Sequence, residues 1–183
     1  MKVVDYTARS PTQYRVRTRE PEEVIGVCIH QTAFAWSDSN PMIARIRAHY
    51  CVLQSGTVAA LHPPLTRMRY GSGPIGNRTM VNVEIMGNYP TSPNTWWKPE
   101  TYGRHRVEDH PAQIAAAREL VQHLRDTYPS ITTITGHRAL QAAKVGCPGP
   151  GHYREIVMWC VDHLGMTEGA VQPGGAEVPA TWR

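Results

Sequence analysis

The chain has 183 residues and a mass of 20.4 kDa, long enough for one well-cored domain and short for two. Hydrophobic residues make up 41% and charged ones 19%, with no apolar run near the ~18 residues of a bilayer span, which excludes an integral membrane protein and a disordered chain. A net charge of +4 and a pI near 9.0 favour polyanionic partners, yet no block of like charge, no nucleic-acid signature and a single Phe for base stacking argue against nucleic acid.

Taken in chain order, Met1-Lys2-Val3-Val4-Asp5 lacks the apolar stretch of a secretory signal peptide, so export by the general pathway is not expected. Residues 24–29 form a short apolar run ending at His30-Gln31-Thr32, which predicts a buried strand with His30 at its carboxyl end. Asn40 before Pro41 predicts a cap and a short helix through Arg47. Residues 48–53 and 57–61 predict two strands around the turn Gln54-Ser55-Gly56. The Gly-, Pro- and Arg-rich stretch 62–79 reads as loop, and the alternation in residues 81–86 predicts a strand with Asn82 and Glu84 on its polar side. A long irregular insert follows to about Asp109, holding Tyr89, Trp96, Trp97 and Tyr102.

Pro111 opens a helix whose Ile114, Ala117, Val121, Leu124 and Tyr128 recur at helical spacing, with Arg118, Gln122 and Arg125 on the wet side and Pro129 as its stop. Residues 131–135 predict a strand leading into Gly136-His137-Arg138, and residues 153–164 a last amphipathic helix. The Gly-, Pro- and Ala-rich residues 166–183 read as a flexible tail. This order predicts an α/β (mixed α+β) fold, a central mixed sheet flanked by helices, as one domain over residues 1–165.

Four cysteines at irregular spacing, Cys28, Cys51, Cys147 and Cys160, point to thiols or a metal ligand in preference to a disulfide framework. Period-two counting puts Cys28 with His30, His49 with Cys51, and Asn82 with Glu84; if the three faces coincide, all six line one groove. His137 just after a strand, with Cys147 ten residues on in a Gly-Pro turn, offers two zinc-competent ligands, and His30 makes a third. Three protein ligands with a fourth position open is the pattern of catalytic zinc. Cys28 lies two residues from His30 on one strand face, roughly 6–7 Å away, too far to share the ion comfortably. Cys28, Cys51 and Cys160 are expected as buried small hydrophobes. His62, His105, His110, His123, His152 and His163 take surface or capping readings.

Five pieces in order extend these signals: Val27-Cys28-Ile29-His30-Gln31-Thr32, the run from Ala48 to Val58, Val81-Asn82-Val83-Glu84-Ile85-Met86-Gly87, Pro111-Ala112-Gln113, and Thr135-Gly136-His137-Arg138 with Cys147-Pro148-Gly149-Pro150. Over residues 24–164 the chain resembles the zinc N-acetylmuramoyl-L-alanine amidases of small phage lysozymes, cytosolic anhydromuropeptide amidases and peptidoglycan recognition proteins. The resemblance implies that His30, His137 and Cys147 hold Zn2+ in a groove at one end of the sheet. It implies further that Glu84 is the acidic residue beside the metal-bound water. His49 matches a common family histidine that either helps hold the oxyanion or braces the sheet. The chain departs from phage relatives at Ala48, where they carry tyrosine, and at Val145, where they carry lysine; Lys144, one residue away, is the candidate replacement.

The activity implied is hydrolysis of the lactyl–L-alanine amide of peptidoglycan, with peptidoglycan or muropeptide as partner, no nucleic acid and no membrane insertion. The leaderless, mildly basic chain reads as a monomeric endolysin, held in the host cytoplasm until lysis and then acting at the periplasm or cell wall. A soluble-muropeptide recycling amidase and a noncatalytic peptidoglycan-binding protein are the alternatives. Trp96, Trp97, Tyr89 and Tyr102 either stack on substrate or cover the sheet edge. Arg67, Arg69 and Arg78 either pair with stem-peptide carboxylates or form a solvated face.

Overall fold

The computed structural model describes residues 1–69 and 71–183. Its strands are β1 (Lys2–Asp5), β2 (Arg15–Thr18), β3 (Gly26–Gln31), β4 (Tyr50–Val52), β5 (Thr57–Ala60), β6 (Thr66–Met68), β7 (Met80–Ile85), β8 (Thr133–Gly136) and β9 (Thr167–Glu168). The helices are α1 (Gly73–Thr79), α2 (Pro99–Tyr102), α3 (Pro111–Thr127), α4 (His137–Leu140), α5 (Pro150–His152) and α6 (Trp159–Leu164), the last entered through a π-helical stretch, Tyr153–Met158. Asn40 caps a 3-10 turn, Pro41–Arg45, by accepting from the Met42 amide. Among the described residues no helix is long and apolar enough to cross a membrane.

Seven strands form one mixed sheet in the order β1-β5-β4-β7-β3-β8-β9. Every neighbouring pair is parallel except the β4–β5 hairpin. Central strands of such a sheet are covered on both faces, which is why all six residues of β3 are buried and its first four are apolar. On one face Val27, Ile29, Val81, Val83 and Ile134 pack against Ile114, Ala117, Leu120, Val121 and Leu124 of α3 and against Ile156 and Val157. The expected apolar stripe of α3 is therefore the one that is buried.

Register decides the opposite face. His30 pairs with Glu84, Cys28 with Asn82, and Cys51 with Glu84, so these side chains form two adjacent rows across β4, β7 and β3. Paired residues of neighbouring strands share a face, so the three polar faces coincide.

Two stretches depart from the sequence expectation. Residues 62–79 are not all loop: β6 pairs antiparallel with β2 in a separate small sheet, and α1 begins at Gly73 with Pro74 in its first turn. The partner of β6 lies some fifty residues upstream, so local sequence carried no sign of it. The segment 166–183, read as a flexible tail, folds back onto the domain. Its β9 extends the sheet beside β8, and Gln172, Gly174 and Ala176 make backbone hydrogen bonds of 2.7–2.9 Å to Ala139, Ala142 and Arg138. Trp182 is 4% exposed, flanked by the Tyr153 ring and the Arg138 guanidinium, and Arg183 pairs with Glu168 at 2.7 Å. Composition alone hid this, because the turn after β8 needs backbone partners that Gly- and Pro-rich chain supplies as well as any other.

Truncating Trp182 should therefore open a cavity at the end of the last helix. Trp182→Ala is expected to lower the unfolding free energy by about 3 kcal/mol in urea titration; an unchanged midpoint would mean that the segment does not dock in solution.

Candidate metal centre

Three elements deliver three donor atoms. His30 is the fifth residue of β3, and His137 is the first of α4, directly after β8. Gly136 lets the third approach: a Cβ there would lie 2.6 Å from Pro148 Cδ, so only glycine admits the loop carrying Cys147 against the strand end. That loop is fixed by the Arg138 amide donating to Cys147 O at 3.1 Å and the Cys147 amide donating to Lys144 O at 2.9 Å. The Arg138 side chain also donates to Val145 O.

The donor atoms of His30, His137 and Cys147 all lie within 4.8 Å of one another. His30 Nδ1 and His137 Nδ1 are 2.9 Å apart. On the far side of each ring, Nε2 meets an amide oxygen: Asn82 Oδ1 at 3.0 Å for His30, and Gln141 Oε1 at 2.7 Å for His137. An amide oxygen only accepts, so both Nε2 atoms carry their hydrogens and both Nδ1 atoms present lone pairs to the same point. Two facing lone pairs repel unless a cation lies between them. Two neutral imidazoles and a thiol are a donor set that suits zinc, and the residues present fit that ion.

Burial, then the neighbouring His137, holds His30 well below the usual imidazole range, while its Asn82 hydrogen bond opposes. Burial brings His137 down to about 4 against the opposing Gln141 bond. Both rings are thereby kept neutral, as ligands must be. Burial and then the Glu84 carboxylate push the Cys147 thiol up, opposed by the Gln31 backbone and the Lys144 charge. A bound cation reverses that balance, because a coordinating thiol is deprotonated outright.

Glu84 completes the group. Burial pushes its carboxyl up to about 8, against the Lys144 charge, and its Oε2 is buried with no hydrogen-bond partner among the described residues. Glu84, His30, His137 and Cys147 line a cleft of about 1190 Å³. Arg45, Arg47, Arg138 and Lys144 are its basic lining, and Phe34, Trp36, Trp97 and Trp182 its aromatic walls. The Phe34 and Trp36 rings lie 4.3 Å apart.

The structure thus brings His30, His137, Cys147, Glu84 and the exposed Lys144 to one cleft. His49 is not among its lining residues: it is wholly buried, its Nδ1 accepts from the Asn82 amide at 2.9 Å, and its Nε2 donates to Thr66 O at 2.8 Å. Burial and the Arg19 guanidinium bring it down to about 3. With both nitrogens spent on backbone groups, His49 braces the sheet and has none left for a substrate oxyanion. Of the insert aromatics, Trp97 reaches the cleft, Trp96 lines a smaller cavity beside it, and Tyr89 belongs to the core. Arg67, Arg69 and Arg78 do not line the cleft; of the cations that do, the sequence reading singled out Lys144 but gave no role to Arg45, Arg47 or Arg138, nor to Gln141, Phe34 or Trp36. Gln141 stands four residues after His137, a helical spacing that could have flagged it.

Residues 20–150 match the family model described as N-acetylmuramoyl-L-alanine amidase. No curated protein sequence matches the chain. Similar solved structures include N-acetylmuramoyl-L-alanine amidase LysC from Clostridium intestinale URNW, 16% identical with a TM-score of 0.61 over 91% of this chain and 99% of that one. The Ph2119 endolysin of a Thermus scotoductus MAT2119 bacteriophage is 21% identical, with a TM-score of 0.56 over 81% and 92%. Drosophila peptidoglycan recognition protein SD is 15% identical, with a TM-score of 0.62 over 94% and 99%. At these identities the likeness is one of fold.

Metal analysis of purified protein should find one equivalent of zinc. His30→Ala and Cys147→Ser should each weaken binding beyond the ~10–100-fold typical of a lost outer contact, and the exposed His123→Ala should not. Retention of zinc by both ligand variants would place the ion elsewhere.

Proposed function

The chain belongs to the N-acetylmuramoyl-L-alanine amidase family, and from that premise we propose that it is a zinc-dependent hydrolase of the amide joining the lactyl group of N-acetylmuramic acid to the L-alanine of the stem peptide. One observation carries the reading: two imidazole nitrogens and a thiol converge near the half-buried Glu84, whose Oε2 has no hydrogen-bond partner among the described residues, and all four residues line one cleft. An ion held by His30, His137 and Cys147 would polarise the amide oxygen and make water a better nucleophile near neutral pH.

The chain's own residues supply the proton handling. Amines leave poorly unless protonated, so a group must take a proton from the attacking water and return it to the departing nitrogen. Glu84 has the position for this: it pairs with His30 in the β3–β7 register and lines the cleft, and burial pushes its carboxyl up to about 8. Lys144, exposed at the cleft, is the group placed to steady negative charge on the substrate side. Arg45, Arg47, Arg138 and Lys144 line a cleft whose one acidic lining residue among those described is Glu84, which suits a peptide bearing free carboxylates. The aromatic walls suit the apolar faces of sugar rings.

Within this activity we assign the protein to cell-wall lysis, as a phage-type endolysin. The open cleft and the +4 charge suit an anionic wall polymer, and two of the solved structures of like fold are named endolysins.

The test is a cleavage assay on purified cell walls and on soluble muropeptides, with new N-terminal L-alanine as the product read. Wall clearing with that product is expected, and Glu84→Gln should lower kcat by roughly 10²–10⁴-fold. Cleavage confined to soluble muropeptides would replace lysis with recycling, and full activity in Glu84→Gln would remove the carboxyl from the mechanism.

A further inference from the structure

Each imidazole that faces the metal centre has its other nitrogen held by a side-chain amide, and each of the two amide residues has its backbone fixed by a hydrogen bond. Asn82 is wholly buried in β7; its backbone amide donates to His49 Nδ1 at 2.9 Å, while its Oδ1 meets His30 Nε2 at 3.0 Å. His49 is locked in turn by Thr66 O at 2.8 Å. The order of contact is thus Thr66, His49, Asn82, His30.

Gln141 is placed from three directions. Its amide donates to His137 O at 3.0 Å, closing the α4 turn. The next residue, Ala142, donates to Gly174 O at 2.7 Å, tying that turn to the C-terminal segment. Gly73, at φ 77°, gives the side chain room, since a Cβ there would lie 3.0 Å from Gln141 Cγ. The Oε1 atom ends 2.7 Å from His137 Nε2.

An imidazole offers either nitrogen to a metal, and the free ring exchanges its hydrogen between them. Binding through Nδ1 at both residues therefore has to be selected. We propose that Asn82 and Gln141 are positioning residues that fix the Nε2–H form of His30 and His137, and so aim both Nδ1 atoms at a single ion. The inference rests on the metal reading above and adds to it which atoms bind and what enforces the choice. At position 82 an amide also serves better than a carboxylate would. Residue 82 shares a strand face with Glu84, roughly 6–7 Å away, where a second carboxylate would repel the first.

The test is zinc affinity of the full chain by chelator competition, combined with nitrogen NMR of the zinc-loaded imidazoles. Wild type should show Nδ1 coordination with hydrogen on Nε2 at both His30 and His137. Gln141→Ala is expected to weaken zinc binding by ~10–100-fold and to give a mixture of Nδ1- and Nε2-bound His137. Gln141→Glu, which keeps an acceptor at that place, should restore most of the affinity and the single form. Asn82→Ala should do the same to His30; if that buried change prevents folding, the Gln141 pair decides. A purely structural role would lower thermal stability without changing which nitrogen binds. Wild-type affinity and a single Nδ1-bound form in Gln141→Ala would overturn the proposal while leaving the metal reading intact. Absence of zinc binding by the wild type would instead overturn the metal reading, and this inference with it.

Discussion

Two neutral imidazole nitrogens aimed at each other across 2.9 Å, inside a protein, form an arrangement that repels itself. A cation turns that repulsion into attraction, and most of what is distinctive in this chain serves to hold the two rings in place for it. The parallel β7–β3–β8 pairing fixes the level of His30 and the starting point of His137. Gly136 opens the strand end to the Cys147 loop, and Arg138 pins that loop by a backbone and a side-chain hydrogen bond. The amides behind the rings prevent them from turning away.

The same low dielectric that makes the cluster costly without an ion makes it useful with one. Burial keeps both histidines unprotonated, and it raises Glu84 into the range where a carboxyl both gives and accepts protons near neutrality. A single environment therefore shifts the two imidazoles and the carboxyl together. The basic and aromatic lining gives the cleft positive charge and apolar faces, with no other acid among the described lining residues beside Glu84.

Much of this could be read from sequence, for a physical reason in each case. β3 and α3 announced themselves because burial imposes a period or an unbroken apolar run. His30, His137 and Cys147 were legible because metal ligands are few in kind and stood at strand ends and in a Gly-Pro turn. Parity put Asn82 and Glu84 on one side, and register then joined them to His30. What escaped depended on distant pairing: β6 needs β2, and residues 166–183 need the backbone groups of Arg138, Ala139 and Ala142. His49 was legible as part of the polar rows, but not its saturation by two backbone groups. Cleft cations such as Arg45 and Arg138 belong to segments whose direction only tertiary structure sets.

The central claim is that one zinc ion is held by two imidazoles and one thiolate with a position left open. Zinc-edge X-ray absorption of the loaded protein addresses it directly. The account predicts a four-coordinate shell with one sulfur at about 2.3 Å and nitrogen or oxygen ligands at about 2.0–2.1 Å, one of them exchangeable solvent. A shell without sulfur, or one closed by four protein ligands, would contradict it.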